Sequence, residues 1–453
     1  MEGEEGELDR AERGTLGILF GAALLVRVAF VALEPATHPI ADERTWTNWA
    51  VDGIVAHASF NPFRTSMIFD PPVYPFFIAA LYALFHSLTA VKYAQALVGS
   101  LLVPALARTG ERAFGPRVGL LAAGIAAFYP ELVWFSAHFW SETLFTTLLW
   151  SSLALLFRAD AKGGAGNAAL AGLLWGFATL TRETILYFTP VAALFLAFRA
   201  RPGGRTRGLA FLLVAGLTVL PWTYRNYRVF HALIPVSTAG GLNLWQGNAL
   251  LTREEVYVRY EQIHGRAEQY RHAVRKGLEA IWERQPFWIF EKLRDEMPNF
   301  WEADSQALIH VKRGAYGPPD PRAAWGTALL ILGPYLALLA LFVLGLMRFS
   351  PNRASLFLLG FLLYYMLLHV ATHGYARYRL PSLPVVFLLA CAGLARKSVA
   401  ISKPRLALGA GVGLILLLSL VPSIRLNLED PAFGLVPQGP PRGEPTPEAS
   451  PVP

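Results

Sequence analysis

The chain has 453 residues, of which 54% are hydrophobic and only 16% are charged, and its formal net charge is +8. Apolar runs near bilayer length recur along it, which excludes an ordinary soluble protein. The excess of positive charge is explained below by membrane topology, so it does not indicate a nucleic acid partner. The single cysteine, Cys391, excludes an intramolecular disulfide.

The apolar segments are separated by loops rich in Lys and Arg. The segments are 15–33, 72–89, 91–109, 118–135, 138–157, 168–182, 185–199, 208–224, 326–347, 354–371, 381–396 and 406–423. Five basic loops follow 109, 157, 199, 347 and 396. Since Lys and Arg in short loops stay on the cytoplasmic side, these loops predict strict alternation from residue 91 onward.

The segment 72–89 breaks this alternation if it crosses the membrane. Its start at Pro71-Pro72 and its internal Pro75 suit a helix that lies in the interface or re-enters from outside. The sequence therefore predicts an all-α polytopic membrane protein with about eleven transmembrane helices and a cytoplasmic N-terminus. Interfacial helices are expected in the first outer loop.

The predicted organisation has five parts. Residues 1–14 form a cytoplasmic N-terminus, and 15–224 form a membrane module whose first outer loop is 34–90. Residues 225–325 are too long for a connection and should form a helical extracytoplasmic loop, with a charged amphipathic helix from Thr252 to Trp301. Residues 326–425 form the last membrane helices, and the Pro/Gly-rich residues 426–453 read as a disordered tail.

Three acidic residues are placed where membrane meets water on the outer face. Asp42 and Glu43 are adjacent in the first outer loop, and Glu142 stands at the outer edge of the fifth apolar segment. Asp42 could simply cap a helix, but a carboxylate shielded from bulk water can also act as a general base. Glu142 is expected to face a cavity because a carboxylate facing lipid is costly. His138 is interpreted as interfacial.

Four arginines lie on the same outer face, against the positive-inside rule. They are Arg182, Arg225, Arg377 and Arg379. Each could be an interfacial residue that extends toward water, but the set favours an anion such as a lipid phosphate, which guanidinium groups bind in bidentate fashion. Arg27, inside the first segment, is expected to pair with a carboxylate or a carbonyl. The chain shows no nucleotide-binding loop, which indicates a donor carried on lipid.

Several motifs in this order resemble the membrane-embedded glycosyltransferases of the protein mannosyltransferase and aminoarabinose transferase type, which have the GT-C fold. The motifs are Asp42-Glu43, Phe69-Asp70-Pro71-Pro72-Val73-Tyr74-Pro75, Ala113-Phe114-Gly115-Pro116-Arg117, Tyr129-Pro130, Ser141-Glu142, Thr181-Arg182-Glu183, Pro221-Trp222-Thr223-Tyr224-Arg225-Asn226-Tyr227, Gly240-Gly241, Gly247-Asn248 and Arg377-Tyr378. They cover roughly residues 15–400.

This resemblance implies transfer of a hexose or pentose from a polyprenyl-phosphate donor to an extracytoplasmic lipid, glycan or protein, with inversion. It implies Asp42 as the base, with Glu43 beside it, and Glu142 as a second acid. Arg182, Arg225, Arg377 and Arg379 would bind the donor phosphate, and Asp70, Tyr74 and Asn226 would complete the site.

The same resemblance implies a bacterial inner membrane protein whose active site faces the periplasm or exterior. No cofactor is expected. The paired acids could hold a divalent metal, although metal-free catalysis is favoured. Two alternatives stay open: a transporter or flippase of a lipid-linked sugar, and a ligase that moves a whole oligosaccharide. Against the transporter, the chain shows none of the internal symmetry common in transporters.

Overall fold

A computed structural model describes residues 10–34, 42–56, 61, 70–198, 202–318, 320–395 and 401–434. Within these ranges the regular structure is helical and no strand occurs. The prediction of an all-α polytopic membrane protein is confirmed.

The first half of the chain forms α1 to α11. These helices are α1 Arg10–Leu33, α2 Asp42–Asn48, α3 Val73–Phe85, α4 Leu88–Ser100, α5 Leu102–Phe114, α6 Pro116–Phe128, α7 Pro130–Ala137, α8 Glu142–Lys162, α9 Ala165–Thr181, α10 Thr189–Ala197 and α11 Gly204–Phe230. A π-helix, Trp49–Val55, follows α2, and a 3-10 helix, Glu183–Phe188, precedes α10.

The second half forms α12 to α21. These helices are α12 Ala239–Asn248, α13 Arg253–Glu261, α14 Arg266–Glu283, α15 Trp288–Asp295, α16 Met297–Trp301, α17 Gln306–Lys312, α18 Pro321–Met347, α19 Arg353–Ala371, α20 Leu383–Ala395 and α21 Lys403–Glu429. Short 3-10 helices cover Ala376–Ser382 and Pro431–Phe433.

The number of helices able to cross a bilayer is smaller than predicted. In the described part of the chain, eight helical segments are long and apolar enough, or nine if the bent pair α6–α7 counts as one span. The expected count of about eleven is not confirmed, because the helices at the segments 168–182 and 185–199 are short. At 1.5 Å per residue, the 17 residues of α9 extend only about 25 Å, less than the ~30 Å hydrocarbon core.

The helix at the segment 72–89 is too short to cross the hydrocarbon core by itself. Helix α3 has 13 residues, so it is about 20 Å long. It ends at His86, which adopts a left-handed conformation with φ of 48°, and Ser87 then caps α4. This helix packs against the π-helix of the first outer loop and against α4, and thereby brings Tyr74 to the site described below.

The bend between α6 and α7 is fixed by Arg27 of α1. The axes of α6 and α7 differ by 51°. Pro130 has no N–H, so the carbonyl of Ala126 lacks its usual helical partner. Arg27 supplies donors instead: Nη2 bonds to Ala126 O at 3.0 Å and Nη1 to Ala127 O at 2.9 Å. The expectation that Arg27 would find an interior carbonyl agrees with these contacts.

The long loop is a set of short helices rather than one long helix. The amphipathic helix expected from Thr252 to Trp301 is divided into α13, α14, α15 and α16. Thr252 and Glu255 form a capping box at the start of α13, and Gln285-Pro286 separates α14 from α15.

The C-terminal end is only partly described. Helix α21 continues to Glu429, beyond the predicted boundary at residue 426. Most of the segment expected to be a disordered tail, from residue 435 onward, lies outside the described residues.

Candidate active site

Glu43 of α2 is buried between two outer-face elements. Its Oε1 accepts a hydrogen bond from the Phe139 N–H at 3.0 Å, and its Oε2 lies 3.5 Å from His310 Nε2 of α17. Burial alone would raise the pKa of Glu43, but the His310 contact, the nearby His138 and the Phe139 N–H together lower it. Glu43 is therefore an ionised acid that holds α2 against the membrane domain. Asp42 begins α2, and its side chain lies outside the described residues.

His138 forms a buried cluster beside Glu43. Its Nδ1 lies 3.0 Å from the Trp134 carbonyl, and its Nε2 lies 2.8 Å from Glu34 Oε1. Lys92 binds the other oxygen of Glu34 at 3.0 Å. Both ring nitrogens of His138 therefore face acceptor atoms, a carbonyl oxygen and a carboxylate oxygen. The His138 ring is fully buried inside the protein.

Tyr74 lies between the two acidic positions. Its hydroxyl donates to Gln95 Oε1 at 2.6 Å. Burial, followed by the negative charges of Glu142 and Glu43, raises the pKa of Tyr74 well above its usual value. Tyr74 therefore keeps its proton, and its position brings Glu43 and Glu142 into one neighbourhood.

Glu142 is the first residue of α8 and forms a buried ion pair. The N-terminal end of a helix stabilises a negative charge, which explains an acid at this otherwise apolar place. Arg182, at the end of α9, donates from Nη1 to Glu142 Oε1 at 2.7 Å and to Ser141 Oγ at 3.3 Å. Glu142 is only 1% exposed, so its carboxylate faces the protein interior and not lipid.

Arg377 extends this group of charges. Its guanidinium lies over the Trp140 ring at 4.5 Å and over the Tyr378 ring at 5.1 Å, and Arg182 lies over the same Tyr378 ring at 5.5 Å. Two of the predicted phosphate-binding arginines therefore share one aromatic partner. His369, in the last turn of α19, stacks on Tyr378 at 4.6 Å.

The other two arginines have different surroundings. The Arg379 guanidinium donates to the carbonyls of Glu302 and Asp304 at 2.7 and 2.8 Å, so it anchors the end of the long loop. Arg225 donates to Asn226 Oδ1 at 2.9 Å. Asn226 in turn donates to the carbonyls of Ile234 and Val236, so it shapes the turn after α11. Both the Arg379 guanidinium and the Asn226 amide are thus hydrogen-bonded to backbone carbonyls.

Arg225 lines an apolar cavity on the outer half of α11. The cavity has a volume of about 510 Å³ and is bordered by α3, α9 and α11. Its walls include Phe76, Phe77, Trp222 and Leu180. Asp70 precedes α3, and its negative charge acts on Glu183, whose carboxylate accepts from the Ser237 N–H.

Sequence reasoning missed most of the histidines and the acid Glu34. A histidine inside an apolar segment was the available signal for His369, since such residues are costly in a membrane. His310 carries no such signal, because it lies in a charged loop. Within the described residues, no group of three or more His, Cys, Asp and Glu side chains is arranged to hold a metal.

Comparison with known proteins gives a family match over one part of the chain. Residues 70–224 match the family model described as dolichyl-phosphate-mannose-protein mannosyltransferase. No match was found among curated proteins.

Solved structures show only distant similarity. The archaeal oligosaccharyltransferase AglB from Archaeoglobus fulgidus, in complex with an inhibitory peptide and a dolichol-phosphate, is 13% identical with a TM-score of 0.48. The match covers 95% of this chain but 56% of AglB, so the chain spans little more than half of that protein's length. ArnT from Cupriavidus metallidurans in the apo state is 16% identical, with a TM-score of 0.39 and coverage of 90% and 78%.

The family match includes Asp70, Tyr74, Glu142, Arg182 and Arg225. Over residues 70–224 the chain is therefore similar to the dolichyl-phosphate-mannose-protein mannosyltransferases, which confirms the resemblance predicted from its motifs.

Proposed function

We propose that this protein is a membrane glycosyltransferase that moves one sugar from a polyprenyl-phosphate donor to an acceptor hydroxyl on the outer face of a bacterial inner membrane. The observation that carries the proposal is the group formed by Glu142, Arg182 and Arg377 beside the helix that begins at Asp42-Glu43. Carboxylates and guanidinium groups at one outer-face site are what a transfer from a phosphate leaving group needs.

The reaction is a single displacement at the anomeric carbon. The acceptor hydroxyl oxygen attacks this carbon, the bond to the phosphate oxygen breaks, and the electron pair leaves with the polyprenyl phosphate. The hydroxyl proton passes to a carboxylate acting as general base. Because attack and departure take place on opposite faces of the ring, the anomeric configuration is inverted.

Asp42 is the proposed base, and Glu43 positions it. The carboxylate of Glu43 is already engaged by Phe139 N–H and by His310, so its role is to fix the first turn of α2. Arg182 and Arg377 carry the positive charges that stabilise the charge developing on the leaving phosphate. The 510 Å³ apolar cavity below Arg225 would take the first isoprene units of the carrier.

The test uses purified protein in lipid nanodiscs with polyprenyl-phosphate hexoses and pentoses and with lipid, glycan or peptide acceptors that carry free hydroxyl groups, and it measures release of free polyprenyl phosphate. Wild type should release it from at least one donor, and Asp42→Asn should lose most of that activity. Asp52→Asn, an exposed acid in the following π-helix, is the matched control and should retain it.

Full activity of a folded Asp42→Asn variant would contradict the assigned base. Movement of intact sugar-lipid across vesicles without release of polyprenyl phosphate would favour the transporter instead.

A further inference from the structure

Several buried polar atoms near the outer end of α8 have no hydrogen-bond partner within the described structure, and five of them group around Glu142 and the Tyr378 ring. These five are Trp140 Nε1, Glu142 Oε2, Thr146 Oγ1, Arg182 Nε and His369 Nε2. A buried polar atom without a partner costs roughly 1–3 kcal/mol, so such atoms are rare unless they meet a ligand or water. Five in one region therefore indicate a binding site.

Thr146 and Glu142 share one face of α8. They are four residues apart, which places them one above the other. One turn further along the same face, Trp150 donates from its indole to the carbonyl of Pro381 at 3.0 Å. This face of α8 is therefore directed at the 3-10 helix Ala376–Ser382, which carries Arg377 and Tyr378.

Arg182, His369 and Trp140 lie near this face of α8, grouped around the Tyr378 ring. Arg182 binds Glu142 and lies over Tyr378, while His369 stacks on Tyr378. Trp140 joins from the other side, since its ring lies under Arg377, which also contacts Tyr378. The five free atoms thus surround one place between α8, the end of α9 and the end of α19.

The chemistry of these atoms fits a neutral polyhydroxylated ring better than an anion. Glu142 Oε2 is an acceptor and would repel a phosphate. Trp140 Nε1 and Arg182 Nε are donors, and the hydroxyl of Thr146 and the imidazole of His369 can serve in either role. Sugar hydroxyls both donate and accept, so they can satisfy all five atoms at once.

We infer that Trp140, Glu142, Thr146, Arg182 and His369 form the subsite for the hydroxyl groups of the transferred sugar, with Thr146 as a residue that determines donor specificity. The inference rests on the proposed transferase function. The donor phosphate lies on the Arg377 side of this subsite.

The test pairs each variant with donors that lack single hydroxyl groups. Polyprenyl-phosphate sugars and their monodeoxy derivatives are assayed with wild type and Thr146→Val. On the natural donor we expect Thr146→Val to lower kcat/KM by about 5- to 10-fold, the effect of one lost hydrogen bond. On the monodeoxy donor that lacks the hydroxyl bound by Thr146, the variant and wild type should be equally active, because that hydrogen bond is already absent.

The matched control is Thr147→Val. Thr147 is the next residue, but its hydroxyl donates to the Val98 carbonyl at 3.1 Å and faces α4. Thr147→Val should change kcat/KM by the same factor on every donor, without a selective effect. Thr146→Ser keeps the hydroxyl and should restore most of the activity. His369→Gln, assayed on the same donors, should give its own selective loss.

The inference is overturned if wild type is active but Thr146→Val and His369→Gln each lower kcat/KM by the same factor on every donor. If wild type releases no polyprenyl phosphate from any of these donors, the proposed function itself fails, and the subsite with it. The two failures are therefore distinguishable.

Discussion

Arg182 donates to Glu142 across 2.7 Å, and the Glu142 side chain is only 1% exposed. This pair joins the end of α9 to the start of α8. Removing one member of a buried pair leaves a charge without compensation, which is far costlier than removing both. The pair therefore supports the site as well as the proposed chemistry.

Replacing Arg182 with Met should lower the free energy of unfolding by about 3–5 kcal/mol, because Glu142 then stays buried without its partner. The double variant with Glu142→Gln should lose less than the single one. Thermal unfolding in detergent micelles measures both. As a control, Arg271→Met breaks the exposed pair with Glu268 and should cost less than about 1 kcal/mol. Losses that simply add would show that the pair is not coupled.

Replacing Arg27 with Met should also destabilise the protein. The carbonyls of Ala126 and Ala127 would lose their donors, at about 1–3 kcal/mol for each buried acceptor. Arg27→Lys should recover only part of this loss, since an ammonium group lacks the planar fork that reaches both carbonyls. The measurement is again thermal unfolding, and a fully stable Arg27→Met variant would contradict the role assigned to this residue.

Gly247 should not tolerate a side chain. A Cβ at this position would overlap the carbonyl oxygen of Thr372, where α12 meets the end of α19. Gly247→Ala should detach α12 and α15 from the membrane domain, because Lys292 bridges the carbonyls of Gly247 and Thr372 at 2.6 and 3.0 Å.

The measurement for Gly247→Ala is the rate of limited proteolysis within α12 to α15, which should rise. Gly216→Ala is the control. Gly216 lies in α11 with open space around its Cβ position, so alanine should be neutral or stabilising by up to about 1 kcal/mol. Equal protease resistance in both variants would argue against close docking at Gly247.

Stability should fall as the pH rises through the range in which Glu302 ionises. Burial, and then the charge of Asp304, raise the pKa of Glu302 from 4.5 to about 7. The folded state thus holds this proton more tightly than the unfolded state, so the stabilisation is fully present below about pH 4.5 and is lost as the pH rises to about 7. The expected loss is about 1–2 kcal/mol after allowance for partial exposure.

Glu302→Gln tests this dependence, because glutamine carries no titrating proton. Unfolding temperatures at pH 5 and pH 8 should differ less in the variant than in wild type. An identical pH dependence in the two proteins would show that Glu302 is not the responsible group.

The sequence predicted those features that follow from the local pattern of apolar and charged residues. The helices of the apolar segments, the short α3, the inward-facing Glu142 and the carbonyl partners of Arg27 were all predictable from hydrophobicity and from the cost of charge in a membrane. What it could not provide was pairing between residues far apart in the chain. Glu43 meets His310, and Arg379 meets the carbonyls at 302–304, through contacts that only the packed helices create.

The partners of Arg379 could not be predicted from the sequence. Its position next to Arg377 and on the outer face indicated phosphate, and nothing in its neighbourhood predicted the carbonyls it binds. Two arginines separated by one residue of a 3-10 helix thus have different partners: Arg377 lies over aromatic rings, and Arg379 binds backbone carbonyls.

The bend held by Arg27 has a consequence for biogenesis. Helix α1 is synthesised before α6 and α7, and it carries a guanidinium whose partners Ala126 and Ala127 follow about a hundred residues later. An arginine near the middle of a helix costs about 2.5–3.5 kcal/mol on the scale of translocon insertion. Until α6 and α7 are synthesised, the Arg27 charge favours a position of α1 near the translocon and its water. Once their carbonyls bind Arg27, α1 can move fully into the membrane. Insertion of α1 is thereby coupled in time to insertion of α6 and α7.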